Sequence, residues 1–95
     1  MTPVDPPAMR RVTVTLRRSA LAPALGVRPT IVIEGRSQPT QWGEGTWLLP
    51  ADRTSEVRVY LYWRGLTWGR ASRELAPGDP ATLTYRLGML GARFA

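Results

Sequence analysis

The sequence predicts an all-β domain: an antiparallel β-sandwich of about six or seven short strands, with a small β-barrel as the alternative. Three observations carry this. The first is the stretch Glu56-Val57-Arg58-Val59-Tyr60-Leu61-Tyr62-Trp63-Arg64, whose positions alternate apolar and polar. Val57, Val59, Leu61 and Trp63 share one face, and Arg58, Tyr60, Tyr62 and Arg64 share the other. Period-two alternation rich in β-branched and aromatic types is the signature of a half-buried strand. The second is that shorter stretches of the same kind recur between turn signals. The third is punctuation: nine prolines and nine glycines interrupt the chain, and no helical period is present.

Taken in order, residues 1–10 read as a mobile, proline-broken leader, 11–88 as the sandwich and 89–95 as an apolar, glycine-broken tail. Arg11 to Arg18 alternates, with Val12, Val14 and Leu16 facing one way and Thr13, Thr15 and Arg17 the other. Ser19 to Arg28 is apolar but too short and proline-broken for a helix, and is expected to fold as a loop over one end of the core. Pro29 introduces the strand Thr30-Ile31-Val32-Ile33-Glu34, and Gly35 permits a turn. Thr40–Trp42 and Thr46–Leu49 read as short strands joined by Gly43-Glu44-Gly45, with Pro50 ending the second. Ala51–Thr54 turns into the long central strand. Ala76-Pro77-Gly78-Asp79-Pro80 is a strong turn signal, and Ala81 to Leu87 alternates again.

Composition narrows the chemistry. Ninety-five residues make one domain with one thin core. All thirteen positive charges are arginine; against seven acids the net charge is +6. That balance suits an acidic partner such as nucleic acid, anionic lipid or an acidic protein face. The arginines are scattered, none in a run longer than two. The chain has neither cysteine nor histidine, which excludes disulfides, thiolate or histidine-based nucleophilic triads, and zinc sites of the usual ligand types. Of the acids, Glu44 and Asp52 fall in predicted turns and would make a carboxylate pair if those turns converged, but carboxylates in turns ordinarily serve local hydrogen bonds. No catalytic residue, metal ligand or cofactor is expected, and the chain reads as a non-enzyme. There is no apolar stretch of membrane-spanning length and no signal-peptide pattern at the start, so a cytoplasmic protein is expected.

One resemblance enters at Ile33-Glu34-Gly35, Trp42-Gly43, Leu49-Pro50-Ala51 and Val57-Arg58-Val59. Together with Ala76-Pro77-Gly78 and Tyr85-Arg86, these make residues 11–88 resemble a small actinobacterial β-sandwich domain of unknown function, and the chain is similar to PEGA-type, prealbumin-like modules. The Pro-Glu-Gly-Ala signature itself is absent, and Asp52-Arg53-Thr54 stands where such domains carry glycine and histidine. The resemblance implies a non-catalytic accessory or binding module and carries no catalytic residues across.

Four tryptophans in a chain this short are its other unusual feature. Trp63 is expected in the core, with at least one of Trp42 and Trp47. Trp68 depends on register. A three-residue loop, Gly65-Leu66-Thr67, sets Arg64 opposite Trp68, Tyr62 opposite Arg70, Tyr60 opposite Ser72 and Arg58 opposite Glu74, all facing outward. A two- or four-residue loop would face Leu61 with Arg70 and Val57 with Glu74, burying two charges. The three-residue loop yields a candidate partner-binding strip of Arg58, Tyr60, Tyr62, Arg64, Trp68 and Arg70, flanked by Ser72 and Glu74. Tyr, Trp and Arg are the residue types of interface hot spots, and they also stack bases and grip phosphates. The expected function is a protein-interaction or assembly module, with binding of nucleic acid or another polyanion as the alternative. The bland alternative for the strip is a cross-strand ladder that stabilises its own hairpin.

Overall fold

A computed structural model of the chain describes residues 8–19, 26–88 and 91–94. These residues form eight strands and no helix: β1 (Met9–Arg18), β2 (Pro29–Ile33), β3 (Arg36–Pro39), β4 (Gly43–Pro50), β5 (Ser55–Trp63), β6 (Leu66–Leu75), β7 (Thr82–Gly88) and β8 (Gly91–Phe94). No described helix could cross a membrane. The strands make two four-stranded sheets, ordered β4-β1-β7-β8 and β3-β2-β5-β6. They stack as a sandwich and do not close into a barrel. Pairing is antiparallel except between β1 and β7, which run parallel with Val14 beside Leu83 and Leu16 beside Tyr85.

Alternation places the core. From the first sheet, Val12, Val14, Leu16, Leu49, Leu83, Tyr85 and Leu87 are buried; from the second, Ile31, Ile33, Val57, Val59, Leu61 and Leu75 meet them. Two hairpins in the second sheet turn on Glu34-Gly35 and Arg64-Gly65. In each, both central residues have positive φ (53° and 76°, then 48° and 84°). This is the type I′ geometry whose twist matches the flanking strands, and it favours glycine at the second position.

Several boundaries differ from the sequence expectation. β1 begins at Met9, inside the stretch read as leader, and its Arg10 is structural. The Arg10 guanidinium donates to the carbonyls of Ala76 (2.6 Å), Pro77 (2.9 Å) and Asp79 (3.0 Å), fixing the turn between β6 and β7. Gly91–Phe94, read as tail, is β8, paired along the edge of β7. Gly43-Glu44-Gly45, read as a connection, belongs to β4, while residues 40–42 connect and Arg36–Pro39 forms β3. β3, β4 and β8 are edge strands with much of their length exposed, which weakens the alternation, while Met9 and Arg10 extend the interior strand β1 beyond its apolar run. The apolar loop expected over 19–28 falls largely outside the described residues, as do residues 1–7.

Tyr85, the largest fully buried side chain, spans the sandwich. Its hydroxyl donates to the Gly69 carbonyl on β6 at 2.5 Å. Its ring meets Phe94 edge-on at 5.8 Å and Trp42 at 6.4 Å between centroids. The Trp42 indole N–H donates to the Val27 carbonyl at 3.0 Å.

Two outcomes test this packing. Leu61→Ala should cost about 2–5 kcal/mol in chemical denaturation, because Leu61 is fully buried in a packed aliphatic site. Burial pushes the Tyr85 phenol up from 10 to about 12. A folded-state value above the unfolded one means that the protonated hydroxyl stabilises the fold fully below pH 10. That contribution, roughly 2–3 kcal/mol, is lost as pH rises from 10 through 12. Denaturation midpoints measured across this window should fall steeply for the wild type and much less for Tyr85→Phe.

Candidate interaction face

The outward face of the second sheet carries the sequence-predicted strip, and its layout follows from the β5–β6 register. The loop is two residues long, with Trp63 paired to Leu66, Tyr62 to Thr67 and Leu61 to Trp68. Carried on unchanged, that register would turn Arg70 and Glu74 inward. The ladder shifts instead between Val59 and Leu61: Gly69 and Arg70 together oppose Tyr60, and beyond them Val59 pairs Ala71, Arg58 pairs Ser72 and Ser55 pairs Leu75. Gly69 has φ +67°, the left-handed glycine that opens a bulge of this kind. The three-residue loop predicted from the sequence is therefore replaced by a two-residue loop plus a bulge. Both solutions keep Arg70 and Glu74 in water; the type I′ turn is the one that matches strand twist.

The bulge divides the predicted strip. Arg58, Tyr60, Tyr62 and Arg70 come together, with Val32, Thr67 and Ser72, around an open groove of about 640 Å³. Tyr60 is half-buried there, opposite Thr30 of β2, and Arg58 lies between Val32 and Ser72. The Arg58 Nε donates to the Glu56 carboxylate, which neutralises part of the repulsion where Glu56 stands opposite Glu74.

Trp68 and Arg64 are not in this groove. Trp68 has the inward parity of Leu61 and is partly buried against the core, not on the outer strip as predicted. Arg64 occupies the turn, its guanidinium 4.7 Å from the centre of the Trp63 ring. Trp63, expected in the core, is 50% exposed. It has the inward parity of Leu61 but lies beyond Pro29, the last residue of β2 to pair with β5, so the apolar layer ends before it. Trp42 and Trp47 are both partly buried against the core.

Val32 and Thr67 were missed as groove residues. The outward parity of Val32 was legible in the alternation of β2, but the placement of β2 beside β5 was not. Glu44 and Asp52 are held apart: Glu44 pairs Thr15 early in β4, and six further residues of strand, roughly 20 Å at strand rise, separate it from Pro50 and the bend holding Asp52.

No family model, curated protein or solved structure matches the chain.

The bulge can be tested by substitution. A Cβ at Gly69 would stand 2.8 Å from the Tyr85 hydroxyl, 2.9 Å from Leu87 and 3.0 Å from Leu61, at a φ that side chains disfavour. Gly69→Ala should therefore lower stability by at least ~2 kcal/mol, whereas Gly78→Ala, at a position with open space around it, should change it little. Equal effects in thermal melts would contradict the bulge geometry.

Proposed function

We propose that the chain is a non-catalytic protein-interaction or assembly module, of the accessory kind implied by its resemblance to PEGA-type domains. The observation that carries this is the groove on the second sheet. Two tyrosines and two arginines line a concave, solvent-open surface on the β5–β6 strand pair. Rigid aromatic rings with arginine between them supply contact area at low entropic cost and favour a partner with acidic groups. The core, in contrast, is made without Tyr60 or Arg70, so both can be altered without emptying an apolar site.

A second reading, binding of single-stranded nucleic acid or another polyanion, is favoured by Tyr60 and Tyr62 alternating with Arg58 and Arg70 in that groove, an arrangement suited to stacking and phosphate contact.

Affinity capture with the wild type and with Tyr60→Ala/Arg70→Ala separates these. For the protein-interaction module, the double variant keeps its melting temperature within a few degrees and loses a specific protein partner by about 2 kcal/mol or more. Retention of the same partner by the variant would reject the groove as the contact. Titration of labelled single-stranded DNA at two salt concentrations tests the second reading, because phosphate contacts show first at low salt.

A further inference from the structure

The net positive charge of the described residues is concentrated at one end of the sandwich, because Arg10, Arg11, Arg36, Arg53, Arg58 and Arg73 at the other end lie among most of the acids. β6 ends at Leu75 and the connection through 76–81 crosses to the start of β7. The β5–β6 turn and the C-terminal ends of β7 and of its parallel neighbour β1 therefore share the opposite end. Arg17, Arg18, Arg28, Arg64, Arg86 and Arg93 lie toward that end, and among the described residues Glu44 is the only acid there. Glu34, Asp52, Glu56, Glu74 and Asp79 lie toward the other end, as do the described ion pairs Arg53–Glu34 and Arg58–Glu56. Arg17, Arg86 and Arg93 stand side by side across β1, β7 and β8, all exposed. With Arg18 they line an open groove of about 870 Å³ that has no acid in its walls. Like charges placed directly opposite on adjacent strands destabilise a sheet, so this row favours an anionic occupant.

The same end carries exposed apolar area. Tyr62, Trp63 and Leu66 are 57%, 50% and 63% exposed. They cluster at the β5–β6 turn, which extends past the last β2 pair as a two-stranded ribbon. Arg64 lies over the Trp63 indole, so a cation travels with the ring.

We infer that this end docks onto an anionic lipid bilayer. Trp63 and Leu66 enter the boundary between headgroups and acyl chains, where indole rings partition well. The arginines behind them take lipid phosphates. Neither signal alone gives stable attachment, and the fold places both together. Leu66, the most exposed of the three, has no role in stacking on bases, and a protruding turn is not a face along which a nucleic-acid strand can lie. These observations favour a bilayer over a nucleic acid.

Co-sedimentation with vesicles tests this, using phosphatidylcholine alone and with about a third phosphatidylglycerol. Binding should require the anionic lipid and weaken with salt. Trp63→Ser/Leu66→Ser should lose at least about tenfold in partitioning, and Arg86→Gln/Arg93→Gln roughly fivefold per arginine. Both variants should keep the wild-type circular dichroism spectrum, and the arginine variant should melt no lower than the wild type, since these side chains are exposed and the arginine row is self-repelling. Tyr60→Ala, altered only in the other groove, should bind vesicles as the wild type does, so this docking stands or falls apart from the protein-interaction reading. Absence of binding to anionic vesicles at low salt would overturn the inference. So would unchanged binding by the folded serine variant, which would show attraction without insertion. Binding of single-stranded DNA in place of vesicles would assign this end to nucleic acid and overturn it equally.

Discussion

The Tyr85–Gly69 hydrogen bond is the constraint on which the arrangement of both sheets depends. A phenol at the centre of a thin apolar core needs a partner for its hydroxyl, because burying that group unpaired costs several kcal/mol. The bulge offers one, because its extra residue leaves the β5–β6 ladder. Gly69 supplies that residue, and its carbonyl accepts from Tyr85 across the sandwich. The same position admits no side chain, since a Cβ would collide with the hydroxyl and with Leu87 and Leu61. Bulge and tyrosine thus require each other.

The consequences run outward from this contact. Before the bulge, β6 directs Trp68 toward the core; after it, Ala71, a half-buried Arg73 and Leu75 take the inward parity while Arg70, Ser72 and Glu74 face water. One extra residue therefore assembles the Arg58–Tyr60–Tyr62–Arg70 groove, while the end of β2 at Pro29 leaves Trp63 and Leu66 at an uncovered tip. At the other end, Arg10 grips three carbonyls of the turn that carries the chain from β6 to β7. The molecule is pinned at the turn that crosses between sheets and open at the turn that protrudes.

Much of this was legible in the sequence, for a physical reason. Strands with one wet face must alternate, so β1, β2, β5 and β7 and their inward residues could be read directly from Val12, Val14, Ile31, Val57, Val59 and Leu83. Of β3, β4 and β8, only the Thr46–Leu49 part of β4 was legible; β3 is exposed throughout and β8 is four residues led by a glycine, so neither showed a usable pattern. The parallel pairing of β1 with β7 was equally hidden, as alternation reports faces and not neighbours. The register of the central hairpin shows where burial arguments stop. Keeping Arg70 and Glu74 out of the core was the correct requirement, but loop length and a bulge are two ways to meet it. The choice fell to Gly69, whose partner Tyr85 lies sixteen residues away in the other sheet. Trp68 turned inward as a direct result, whereas Trp63 is exposed because β2 ends before it.

The most direct measurement is proton NMR of the wild type at neutral pH, following the Tyr85 hydroxyl. A buried donor bonded to Gly69 should give a slowly exchanging hydroxyl resonance with cross-peaks to the Gly69 α-protons and the Leu87 methyls, alongside cross-strand contacts from Leu61 to Trp68. Contacts placing Arg64 opposite Trp68, with a Tyr85 hydroxyl exchanging as fast as those of Tyr60 and Tyr62, would contradict the bulge and the division of faces built on it.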